Sequence, residues 1–171
     1  DGRELQFNHN MSDVTSVSKT DAAASYADLR TYFTPYNNNQ GPAGRSVESY
    51  SGGYAAIKAV NTVIDFIDEP EWAGGPGDPE RNHLLGTAYF LRAFFYMQLT
   101  MQFGNVAFPL NVVSEARQDF KVFHMQGIWD QMITDLEFAA QNVKTLSELP
   151  KGQAPNTAVK MFLAKYYMLI E

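Results

Sequence analysis

The chain has 171 residues, 45% hydrophobic and 19% charged, which suits one ordinary hydrophobic core and excludes an intrinsically disordered chain. Its 19 acidic residues outnumber 13 basic ones for a net charge of −6, and Lys and Arg form no cluster, so the footprint that nucleic acid demands is missing. Cysteine is absent, which excludes disulfides, thiolate metal sites and cysteine nucleophiles.

Residues 1–52 read as an irregular, polar lead-in with one short helix, Asp21 to Phe33, opened by a Thr20 or Asp21 cap. The stretch Thr34-Pro35-Tyr36-Asn37-Asn38-Asn39-Gln40-Gly41-Pro42 has loop composition. Four stronger helices follow. The first is expected from Gly53 to Asp68, with Tyr54, Ile57, Val60, Asn61, Ile64 and Ile67 at helical spacing, stopped by Glu69-Pro70. The second is expected from Glu80 to Phe103, between the opening Asp78-Pro79-Glu80 and the stop Gly104-Asn105. An extended piece, Val106 to Val113, leads to a third helix from Met125 to Val143, with Ile128, Met132, Leu136, Ala139 and Val143 on one face. Leu149-Pro150-Lys151-Gly152 breaks the chain before a fourth helix that starts at Asn156. The expected fold is therefore all-α: helical hairpins over residues 53–103 and 125–171, a weak repeat of the solenoid kind.

The opening Asp1-Gly2-Arg3-Glu4 does not resemble a signal peptide, and the helical pattern runs to Met168-Leu169-Ile170-Glu171. The expectation is a single incomplete domain, cut from a longer protein. Leu84 to Phe103 approaches the length of a membrane span with Arg92 as its only charge. A central Arg opposes insertion by roughly 2.5–3.5 kcal/mol, so a helix buried in a bundle is the expected outcome.

No catalytic constellation is legible. Gly44-Arg45-Ser46-Val47-Glu48 lacks the closing glycine of a nucleophile elbow, and Gly74-Gly75-Pro76-Gly77 has no Lys-Ser/Thr after it. His9, His83 and His124 show no metal-ligand spacing, and Asp65, Asp68, Glu69 and Glu71 lack that of a calcium loop. No metal and no cofactor is expected. Arg92 sits on the most apolar helix and must be paired if buried; Asp135, beside Leu136, is the candidate partner. Asn61, inside an apolar stripe, needs a hydrogen-bond partner as well. All three read as structural. Trp72 stands among Gly, Pro and acids, where it either offers a plate for a sugar ring or plugs a gap in its own loop. Tyr36, followed by Asn37 and Asn38, has the same character.

Taken together, several segments resemble the SusD/RagB family. They are Gly53-Tyr54-Ala55-Ala56-Ile57-Lys58-Ala59-Val60-Asn61, Tyr89-Phe90-Leu91-Arg92-Ala93-Phe94-Phe95-Tyr96, the turn Phe103-Gly104-Asn105-Val106-Ala107-Phe108-Pro109-Leu110, Ile133-Thr134-Asp135-Leu136-Glu137-Phe138-Ala139 and the helix Ala158 to Tyr167. The sequence departs from the family pattern at Asn105, where Asp is usual, and in Ala107-Phe108 before Pro109. The resemblance implies tetratricopeptide-like helical hairpins in a right-handed solenoid. It also implies a lipid-anchored protein of the outer-membrane surface that captures an oligosaccharide for a TonB-dependent, SusC-like transporter. The membrane would then be met only through a lipid anchor outside this chain. A helical-repeat adaptor for a protein or peptide partner is the alternative.

Overall fold

The computed structural model describes residues 42–113 and 119–170, with side chains from residue 50 onward. The expected helix Asp21 to Phe33 and the Tyr36 loop lie outside the described residues. The chain divides into two compact units, Asp1–Ser51 and Gly52–Glu171, and the core described here belongs to the second.

Among the described residues four α-helices make the fold: α1 (Pro42–Asp65), α2 (Pro79–Phe103), α3 (Met125–Asn142) and α4 (Asn156–Ile170). The architecture is all-α, as the periodicity requires. Its only described strands are β1 (Val106–Ala107) and β2 (Val122–Phe123), antiparallel, with Val106 opposite Phe123 and Ala107 opposite Val122.

The caps of α2 explain its bounds. Asp78 Oδ1 accepts from the main-chain N–H groups of Glu80 and Arg81, at 2.9 and 3.2 Å, while Pro79 takes the first turn, where no N–H is needed. At the other end Gly104 adopts φ +71° and donates its N–H to Thr100 O at 2.9 Å. Between these caps α2 is about 37 Å long. No described helix is long and apolar enough to cross a membrane.

Helix α1 begins earlier than expected. Pro42, whose fixed φ suits a first turn, is its first residue, and the helix passes through Gly52-Gly53, where the sequence reading placed the start. Gly53 has a packing reason to be glycine: a Cβ there would lie 2.9 Å from Leu99 Cδ2 of α2. A Cβ on Gly52 meets nothing within 4 Å. Gly52→Ala is therefore expected to raise stability by about 0.5–1 kcal/mol, the helix-propensity difference. Gly86, on α2, is the contrary case, because its Cβ would lie 3.1 Å from Val143 Cγ2 and 3.3 Å from Ala139 Cα. Gly86→Val should cost about 1–3 kcal/mol through overpacking. Urea titration of both variants checks the pair, and a stabilised Gly86→Val would refute the close α2–α3 approach.

The helices pack as an alternating set. Gly86 faces Ala139 and Val143, while Trp129 reaches Thr100 at the far end, so α3 runs antiparallel to α2. Phe162 meets Phe90, and Tyr166 bonds Ala93, so α4 runs back along α2 in the same direction. The closest helix packing is α2 on α3 and α3 on α4. The expected pairing of the first two helices as a hairpin is looser than this contact between the two hairpins. Ile57, Ala93, Tyr96, Leu99, Ile128, Trp129, Met132, Leu136, Ala139, Val143, Val159 and Tyr166 are among the members of the buried cluster.

Candidate functional site

The extended segment after β1 poses an accounting problem. Past Ala107 its carbonyls have no strand partner among the described residues, and buried carbonyls must be bonded. Side chains from two helices meet them. Asn61 Nδ2 donates to Pro109 O at 3.0 Å, Tyr96 Oη donates to the same oxygen at 2.9 Å, and Tyr54 Oη donates to Ala107 O at 2.7 Å. Arg92 Nη1 donates to Leu110 O at 3.1 Å and to Asn61 Oδ1 at 3.3 Å. Asp65 holds the segment's far end, accepting from Val112 N at 2.6 Å and Asn111 Nδ2 at 3.0 Å.

Arg92 is the node of this network. It is 5% exposed, Asp135 is 3% exposed and Asn61 is 1% exposed. Arg92 Nε donates to Asp135 Oδ2 at 2.7 Å, and the guanidinium carbon lies 5.0 Å from the centre of the Tyr89 ring. Gln131 Nε2 donates to the other carboxylate oxygen at 3.2 Å. The structure thus brings Asn61, Arg92 and Asp135 into one cluster spanning α1, α2, α3 and the extended segment. Burial pushes the Asp135 carboxyl upward, and the bonds from Arg92 and Gln131 pull it partly back. No buried polar side-chain atom among the described residues lacks a partner. Asn61 and Arg92 donate to backbone carbonyls of the extended segment, while Asp135, held by Gln131, balances the Arg92 charge.

Sequence reasoning missed Tyr54, Asp65, Tyr96 and Gln131 as members. A signal existed: an eight-residue extended piece (Val106 to Val113) that pairs for only two residues needs donors from outside.

Trp72 lies in the loop between α1 and α2 and is half-buried, with its indole N–H donating to Ile67 O at 2.7 Å. The loop closes on itself through Gly75 N–H to Trp72 O at 2.9 Å and Asp78 N–H to Gly75 O at 3.1 Å. Arg81 pairs with Asp68 across it, at 2.6 Å. Trp72 therefore helps to fasten the loop while part of its ring stays accessible. Tyr36, Asn37 and Asn38 lie outside the described residues. The acids near the end of α1 do not converge: Asp65 serves the extended segment, Asp68 serves Arg81, and no described group of His, Asp or Glu could hold a metal ion.

Residues 3–168 match the model of a family described as SusD-like, starch-binding associating with outer membrane. The chain belongs to the SusD-like family. Solved structures agree on the fold. A SusD-like protein from Bacteroides fragilis superposes with TM-score 0.73 at 21% identity, over 96% of this chain and 31% of the relative. A surface glycan-binding protein A from Bacteroides uniformis does so with TM-score 0.70 at 22% identity, over 96% and 36%. A SusD-like carbohydrate-binding protein from Bacteroides vulgatus gives 0.73 at 21%, over 99% and 36%. The chain thus spans about a third of the length of these relatives. No curated protein matches it. In this chain the Arg92 network fixes the extended segment against α1 and α2, with Asp135 of α3 holding Arg92.

Proposed function

We propose that the intact protein is a glycan-capture subunit of the outer-membrane surface, which hands oligosaccharide to a TonB-dependent, SusC-like transporter and converts nothing. The family match over residues 3–168 carries this reading. Structural relatives named as glycan-binding and carbohydrate-binding proteins support it. The described residues fit a binding module, since the buried polar groups Asn61, Arg92 and Asp135 pair with one another and with the extended segment. In this reading a lipid anchor outside the chain holds the protein at the membrane, and stacked helical hairpins form its scaffold.

Capture for onward transport requires release, so the dissociation constant should fall between micromolar and millimolar, about −8 to −4 kcal/mol. Aromatic faces with amides beside them supply that, and Trp72, Tyr36, Asn37 and Asn38 are the residues we assign to ligand contact. Calorimetric titration of the full-length protein with oligosaccharides tests the reading, with Trp72→Ala examined on any ligand found. Loss of roughly tenfold or more in affinity, at about 1.4 kcal/mol per decade, is expected from that variant. Unchanged affinity removes Trp72 from the site and leaves the function standing. Tight binding to a peptide, with none to any glycan, replaces the proposal with a helical-repeat adaptor.

A further inference from the structure

His83 stands early in α2, half-buried, and its Nδ1 accepts the main-chain N–H of Lys144 at 3.3 Å, 61 residues away in sequence. Lys144 is the first residue past the C-cap of α3, and its own carbonyl accepts from Asn156 N, the first residue of α4, at 3.0 Å. One imidazole nitrogen therefore fastens the point where the chain leaves α3 on its way to α4. Around it, Lys144 Nζ pairs with Glu80, and Thr145 and Glu148 close a capping box over the short 3-10 turn Leu146–Glu148.

The bond exists in only one protonation state. A neutral imidazole has one acceptor nitrogen, whereas a protonated one donates from both. A proton on Nδ1 would meet the Lys144 N–H head-on, and among the described residues no other acceptor takes that N–H. We propose that His83 is a pH-operated latch on the α3–α4 connection, closed while its imidazole is neutral and released by protonation. The latch concerns the scaffold and does not depend on which ligand the protein binds.

The charges around His83 set the direction. Burial opposes the protonated form most strongly, and the Lys144 ammonium on the connection opposes it too. Glu80 on α2 and Glu148 on the 3-10 turn favour it, without reversing the outcome: the His83 pKa lies below the ordinary histidine value. A lowered histidine contributes stability that is full above its unfolded value, near 6.5, and is lost as pH falls through the lowered folded value. The latch is closed at neutral pH and opens in acid.

Amide hydrogen exchange of the full-length protein, expressed as protection factors at about pH 7.5 and about pH 5, reads the latch directly. Lys144 protection should fall by about tenfold for each unit by which folding lowers the His83 pKa, while amides inside α2 hold theirs. His83→Asn places a non-titrating oxygen near the Nδ1 position and should abolish the pH dependence at Lys144. Lys144 protection that is equal at the two pH values overturns the proposal. So does a loss that persists in His83→Asn, or one shared equally by the interior of α2, which would mark general acid unfolding.

Discussion

Replacing Arg92 by alanine is expected to cost about 3–5 kcal/mol, the range for breaking a buried ion pair by removing one partner. On a total of roughly 5–15 kcal/mol for a domain, that is enough to unfold a marginal one. The cost arises mainly from what is left behind: a carboxylate 3% exposed with only Gln131 donating to it, and carbonyls of the extended segment that lose a donor. The two partners should behave unequally. Arg92→Met strands an acid that can neutralise itself by taking a proton, and burial already pushes Asp135 that way. Asp135→Leu strands a guanidinium that cannot be deprotonated, so it should be the worse of the two. The sign of the pH effect follows. With its folded pKa raised further in Arg92→Met, Asp135 favours the fold most at pH below its unfolded value near 3.9, and that contribution is lost as pH rises through the raised folded value. The Arg92→Met defect should thus shrink in acid. The double variant, Arg92→Met with Asp135→Leu, should be more stable than either single variant, since neither charge is then stranded. Urea denaturation of all four proteins at neutral and mildly acid pH measures this, and simple additivity of the two single costs would refute the coupling.

What the sequence could and could not disclose divides along the same line. Asp78-Pro79-Glu80 and Gly104 are legible because a cap is a local event, settled within one turn of helix. The start of α1 is not legible, because Gly52-Gly53 looks like a break until Leu99 is known to lie against Gly53. Apolar stripes announce four helices, but which stripe meets which is not a local property, and the tight α2–α3 contact between the two expected hairpins could not be read from them. Arg92 and Asp135 were nameable because a charge on an apolar stripe demands a partner of opposite sign. Tyr54 and Tyr96 were not, since a tyrosine on a stripe is already accounted for by its ring, and its hydroxyl says nothing of Ala107 or Pro109. Trp72 is intermediate: both readings of it rested on its odd position, and the bond to Ile67 O shows what one end of the ring does. For the ligand, the sequence offered family likeness and a few aromatics, because contact residues for a sugar carry no fixed spacing.

The second large effect is expected at Tyr166. Helix α4 has 15 residues, a length at which an isolated helix is marginal in water, so its stability must come from docking. Only Val159 and Tyr166 are fully buried along it. Tyr166 is 0% exposed, lies in the core cluster with Tyr96, Ile128 and Leu136, and donates its hydroxyl to Ala93 O inside α2 at 2.7 Å. Burial pushes the phenol's pKa strongly upward, so it remains a neutral donor across the working pH range. Tyr166→Ala removes a large ring and leaves a cavity, which should cost about 3–5 kcal/mol. Tyr166→Phe keeps the ring and loses one hydrogen bond, for about 0.5–1.5 kcal/mol. The contrast separates packing from bonding, and denaturant titration of the two variants measures it. Hydrogen exchange should then show where the loss falls: the alanine variant exposes α4 amides before those of α2 and α3, because those two helices keep their own interface through Gly86, Ala139, Val143, Trp129 and Thr100. Equal costs for the two variants would mean that the hydroxyl, rather than the ring, anchors α4.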